Sequence, residues 1–85
     1  MKLIFHTSNR NYEIYSSFSK IQDKLPTNFV RCHKSFIANI DNITEIRLRG
    51  NTIFFESSYC EIGPKYKNQF MEAVNSYEKF EKYNI

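Results

Sequence analysis

Glycine and proline are scarce, with two of each among 85 residues. That scarcity excludes a linker or a low-complexity chain. No apolar run approaches the length of a membrane span. The apolar part of Met1-Lys2-Leu3-Ile4-Phe5-His6 is too short for a signal peptide. The default compartment is therefore the cytoplasm, where thiols stay reduced. Cysteine is also sparse. Cys32 and Cys60 stand too far apart for a CxxC redox or zinc motif. His6 and His33 add no ligand-like spacing, so no metal site is expected. Neither a βαβ alternation nor a Gly-rich phosphate loop is present, which argues against a nucleotide-binding fold. No Ser-His-Asp, Cys-His or paired-carboxylate arrangement can be argued from spacing. Cys32 and His33 are adjacent, so along a strand they point apart. The reading is of a protein that is not an enzyme and needs no cofactor.

What is present is a core. The chain is 41% hydrophobic and 16% aromatic, with eight Phe and six Tyr, which argues against disorder. Its length suits one small domain, near the lower limit at which a lone core suffices. The net charge of +3 permits nucleic-acid binding without demanding it. The distribution of charge says more. Arg31, His33 and Lys34 lie between Phe29 and Phe36 with no acid among them, and Lys65 and Lys67 lie between Gly63 and Phe70, again with none.

Patterning supplies the elements. Leu3 and Phe5 alternate with polar neighbours over residues 2–7, and Tyr12, Ile14 and Ser16 do so after the turn cluster Ser8-Asn9-Arg10-Asn11, which predicts a hairpin. Phe18, Ile21 and Leu25 fall at helical spacing behind Ser16 or Ser17, and Pro26 ends that short helix. Its charged face, Lys20, Asp23 and Lys24, reads as solvated. Ala38 to Asn42 reads as a tight turn or a turn of helix. Ile46 and Leu48 alternate with Glu45, Arg47 and Arg49, Gly50-Asn51 supplies a hairpin turn, and Thr52 to Glu56 returns. Tyr59 to Ile62 forms a last short strand. Gly63-Pro64 is expected to open the final helix, as N-cap and first helical residue, with Tyr66, Phe70, Val74 and Tyr77 on its buried face.

The centre of the chain is Phe29-Val30-Arg31-Cys32-His33-Lys34-Ser35-Phe36-Ile37-Ala38-Asn39. Cations and a hydroxyl held between apolar anchors can present donors to phosphates and base edges; the alternative is an ordinary solvated strand. This Phe-x-Arg-x-His-Lys-Ser-Phe-Ile-x-Asn run resembles the signature of the LytTR DNA-binding domain family, the output domain of many bacterial response regulators in two-component systems. The resemblance covers roughly residues 1–79 and is weaker at both ends. It implies a mainly β fold with two short helices (α+β), an elongated arrangement of small antiparallel sheets. The family's first strand and any receiver domain are expected to be missing ahead of Leu3, and residues 80–85 to form a frayed tail.

The resemblance further implies sequence-specific binding of double-stranded DNA by loops that enter successive major grooves, as a transcription regulator acting at repeated promoter sites. It leaves room for self-association on DNA and gives no role to a membrane. The residues it singles out are Arg31, His33, Lys34, Ser35, Lys65, Tyr66 and Lys67. Lys34 and Lys65 take the base-edge positions, with His33 and Ser35 as neutral donors. Three departures stand out: Gly63 and Pro64 replace a frequent Ser and basic residue, Lys replaces Arg, and the start of the pattern is absent. A Lys cannot make the planar two-point contact of an Arg. For Arg31 a scaffold role, held by an acid such as Glu56 or Glu45, is an equal alternative. Cys32 and Cys60 each flank a proposed loop and form a candidate redox pair, against the simpler reading of two buried thiols. The rival function is a protein-interaction module that binds an acidic partner, supported by Tyr12 and Tyr15.

Overall fold

Two small β-sheets meet face to face in the computed structural model, which describes residues 2–8 and 10–77. The first sheet comprises β1 (Lys2–His6), β2 (Asn11–Tyr15), β3 (Phe29–Arg31) and β4 (Phe36–Asn39), in the order β2-β1-β4-β3. The second comprises β5 (Ile43–Arg47), β6 (Thr52–Phe55) and β7 (Tyr59–Glu61), in chain order. Helix α1 (Phe18–Ile21) continues as a 3-10 turn over Gln22–Lys24, and α2 (Lys67–Ser76) closes the described chain. The expected fold class, mainly β with two short helices, is borne out. The principal extents of 34 × 25 × 22 Å describe a modestly elongated body.

One strand pair departs from the antiparallel expectation. β1 runs parallel to β4, with Ile4 opposite Phe36 and His6 opposite Ala38. The connection passes through β2, α1 and β3, long enough for the crossover a parallel pair needs. Residues 36–39 thus lie between β1 and β3 and are paired on both sides.

Alternation sorts this first sheet into two faces. Ile4, His6, Val30, Phe36 and Ala38 share the face toward the second sheet. Leu3, Phe5, Phe29 and Ile37 share the other, where the Phe5 and Phe29 rings meet at 5.9 Å. The main core joins Ala38 and Cys32 to Ile43, Ile46, Ile53, Phe55, Cys60 and Ile62, and to Phe70 and Val74 of α2. The helical stripe is therefore core, as its spacing predicts, with Tyr66 and Tyr77 half-buried at its ends. His6 is enclosed in that interface, stacked on Phe55 at 5.7 Å and edge-on to Phe36 at 5.1 Å. Burial pushes its pKa down. Nearby Asn11 pulls weakly the other way, although neither ring nitrogen makes a hydrogen bond of good geometry.

Two boundaries differ from expectation. Gly63-Pro64 does not open α2. The Tyr66 amide bonds back to the Gly63 carbonyl at 2.9 Å, closing a separate turn, and the helix begins only as Phe70 bonds to Tyr66 at 2.9 Å. The strand at 43–49 ends at Arg47, because the chain reverses through Leu48–Asn51 with positive φ at Gly50 (98°) and Asn51 (50°). Glycine tolerates that region and asparagine more than most residues, so the dipeptide suits the bend. The expected tail at 80–85, and Met1 and Asn9, lie outside the described residues.

Candidate nucleic-acid interface

The residues that the resemblance singles out lie on two chain segments: loop 33–35, between β3 and β4, and loop 63–66, between β7 and α2, with Arg31 and Lys67 at their margins. They meet. His33, Lys34, Gly63, Pro64, Lys65 and Tyr66 line one cleft of about 300 Å³. Lys34 and Lys65 therefore flank a common hollow, although 31 positions separate them in the chain, and both are exposed.

The first loop is tied down almost group by group. Arg31 Nη2 donates to the Lys34 carbonyl at 2.7 Å. The Ser35 amide donates to His33 Nδ1 at 3.1 Å, and the Ser35 carbonyl accepts from the Ile4 amide at 2.8 Å. The Phe36 carbonyl accepts from the Cys32 amide at 3.1 Å. With Nδ1 accepting, the neutral imidazole carries its proton on Nε2, which faces Glu61 Oε1 at 3.5 Å. The ring lies on Phe36, centroids 4.3 Å apart and 22° from parallel. His33 thus acts as a peg under the loop.

Charge at the cleft is not purely positive, since Glu61 stands at its edge. Sequence separation hid that neighbour; the strand brings it to the loop. Glu45 is engaged by Arg47 beside it, so the acid partner expected for a scaffold Arg31 is replaced. The Arg31 guanidinium instead sits 4.5 Å from the Phe18 ring centre and 5.0 Å from that of Tyr66, with its fork on a carbonyl.

The second loop is held by its backbone. The Gly63 amide donates to the Cys32 carbonyl at 2.8 Å, and its carbonyl takes the Tyr66 amide. Gly63 is buried so closely that an added Cβ would lie 3.3 Å from both His33 Cδ2 and Tyr66 Cδ2. Pro64 and Lys65 form the exposed tip. Lys67 is half-buried at the first position of α2, whose first turn carries no acid. Ser35 and Tyr66 are half-buried beside the cleft.

Behind the loops the Cys32 and Cys60 sulfurs lie 3.9 Å apart, both buried and both free. Their hydrogen bond and their burial raise the Cys32 pKa far above that of an ordinary thiol. Elsewhere, Tyr12 and Tyr15 are 50% and 80% exposed on edge strand β2. Tyr12 borders an apolar hollow shared with Phe5, Thr7, Ile14 and Phe29. Among the described residues, no helix is long and apolar enough to cross a membrane.

The two-sheet body thus presents two basic loops at one cleft. The family model for the LytTr DNA-binding domain matches residues 1–75, and the chain belongs to that family, a family of DNA-binding domains. Curated relatives agree. The accessory gene regulator protein A of Staphylococcus aureus (strain N315) is 34% identical over 56 residues, 66% of this chain and 23% of the relative. The protein of the same name from Staphylococcus epidermidis (strain ATCC 35984) matches with the same identity and coverage. The match thus spans under a quarter of those relatives' length. No solved structure matches significantly.

Proposed function

We propose that this domain binds double-stranded DNA sequence-specifically through loops 33–35 and 63–66, as the output domain of a cytoplasmic bacterial transcription regulator. The observation that carries this reading is the common cleft of Lys34 and Lys65. Both side chains are exposed at loop tips, and the backbone around Lys34 is already hydrogen-bonded. A pre-ordered tip loses little conformational freedom on docking. Lys34, Lys65 and Lys67 supply the counterion-release part of the affinity, which is indifferent to sequence. Lys34 and Lys65 also address base edges. Lys67 stands at the positive end of α2, where an arriving phosphate would offset its repulsion from the helix dipole. His33 and Ser35 support the loop and border the contact, and Tyr66 lines the cleft wall. The domain carries no reaction.

Entry of the loops into successive major grooves is the finer expectation. Grooves recur along one face of a straight duplex about every 34 Å, equal to the longest extent of the described residues. Loops that share a cleft address one local stretch per copy. They reach successive grooves only where the duplex bends toward them, which flexible pyrimidine–purine steps permit. Repeated promoter sites would then be filled by separate copies.

Binding-site selection from a random duplex pool tests the reading, followed by titration of Lys34→Ala on the selected and on scrambled duplexes at fixed salt. We expect a recurrent sequence, and a loss on it that exceeds the loss on scrambled DNA by roughly 1–3 kcal/mol. Equal losses would reduce Lys34 to a phosphate contact. Failure of any sequence to emerge would favour the interaction module, whose basic patch would bind an acidic partner.

The 3.9 Å thiol contact supports a second element of the reading. Cys32 and Cys60 form a redox pair: two thiols give one disulfide and two protons, and a peroxide takes the two electrons and becomes water. A sulfur–sulfur bond is about 2.05 Å long, so closure draws the two loop bases together. Both thiols are buried, so an oxidant reaches them slowly until the core opens.

A further inference from the structure

Arg31 sits in the motif that the DNA reading rests on, yet its guanidinium turns inward. One nitrogen, Nη2, donates to the Lys34 carbonyl at 2.7 Å. The Phe18 ring of α1 and the Tyr66 ring before α2 lie 4.5 and 5.0 Å from its central carbon. Nε is enclosed and makes no hydrogen bond. Three separate pieces of chain therefore converge on one cation: the short helix, the first DNA loop and the end of the second. A planar group that stacks on rings while its edge holds a carbonyl is a fastening that an ammonium cannot reproduce, because a point charge has no face.

We infer that Arg31 is a positioning residue for DNA recognition. It makes no contact with DNA; it fixes the Lys34 loop against Tyr66 and α1, and so sets the spacing between the two reading lysines. The inference rests on the DNA-binding reading above and goes beyond it by removing one motif cation from the contact surface. Its guanidinium is engaged by two ring faces and a carbonyl of the domain itself. Loss of Arg31 therefore changes where the lysines stand, not how many phosphates are neutralised.

That distinction is measurable. Each phosphate contact contributes roughly 0.9 to the slope of log K against log salt. We expect Arg31→Lys and Arg31→Gln both to lower the selected-to-scrambled affinity ratio roughly tenfold or more, with the salt slope on scrambled DNA unchanged. The inference is overturned if Arg31→Gln lowers that slope by about 0.9 while Arg31→Lys binds as the parent does, the signature of a phosphate contact. It is equally overturned if neither variant alters the ratio. Thermal melting establishes that each variant is folded at the temperature of titration. Should either Arg31 variant fail to fold, Phe18→Leu decides. It removes one stacking ring and no charge, and loss of the ratio at constant slope supports the clamp, whereas a parental ratio refutes it. Lys34→Ala runs alongside as the control for the reading beneath. If that variant discriminates as the parent does, the DNA-reading assignment of the loop fails, and not merely the role of Arg31.

Discussion

Loop 33–35 and loop 63–66 share a cleft but are built in opposite ways. In the first, side chains and backbone cooperate: Arg31 takes the Lys34 carbonyl, His33 takes the Ser35 amide, and Ile4 takes the Ser35 carbonyl. In the second, Gly63 anchors the chain through its amide and carbonyl, and packs directly on His33 and Tyr66. The first loop is thus fixed by many bonds of modest worth, and the second by the absence of one side chain. Substitutions should therefore act differently in the two. At the first, trimming the exposed tip leaves the frame intact. At the second, adding atoms to the anchor disturbs both loops together, because His33 is the peg beneath one and the wall of the other.

The largest expected effect follows from that shared wall. Gly63→Val places methyl groups where even a lone Cβ is tight against His33 and Tyr66. Such overpacking costs about 1–3 kcal/mol. A urea midpoint should fall accordingly, whereas Lys34→Ala, an exposed site, should stay within about 0.5 kcal/mol of the parent. Equal midpoints for the two variants would erase the contrast between the loops.

Oxidation probes the loops from beneath. Peroxide should convert the Cys32–Cys60 pair slowly at neutral pH and faster in mild urea, with DNA affinity falling as the bridge forms. Free-thiol counting set against gel-shift affinity measures this. Rapid conversion without denaturant would contradict the enclosure of both thiols in the core. The smallest effect belongs to Lys67→Ala. It should reduce the salt slope by about one unit with sequence preference unchanged, and an unchanged slope would confine the second loop's contacts to Lys65.

Much of this fold can be read in the chain because its signals are local. Alternation at Glu45–Arg49, the Gly50-Asn51 bend and the Phe70/Val74 stripe each declare an element within a few residues, and each is found. The parallel β1–β4 pair does not declare itself, because no periodicity in residues 2–6 names a partner more than thirty residues away. The start of α2 was misplaced for a related reason. Gly-Pro is compatible both with a helix opening and with a separate turn, and the choice was made by the packing of Gly63 on His33. At the candidate interface, the family resemblance marked the two loops, and tertiary structure supplied the rest: the common cleft, Glu61 near it, the touching thiols and the ring contacts of Arg31. An Arg in a basic motif looks like a contact until its ring partners, Phe18 and Tyr66, arrive from distant parts of the chain.

Amide shift mapping of the domain, titrated with a selected duplex, tests the central claim most directly. The account predicts that perturbations concentrate at residues 33–35 and 63–67, and that the β2 edge around Tyr12 and Tyr15 stays silent. Shifts centred on that edge, with both lysine loops unmoved, would contradict it.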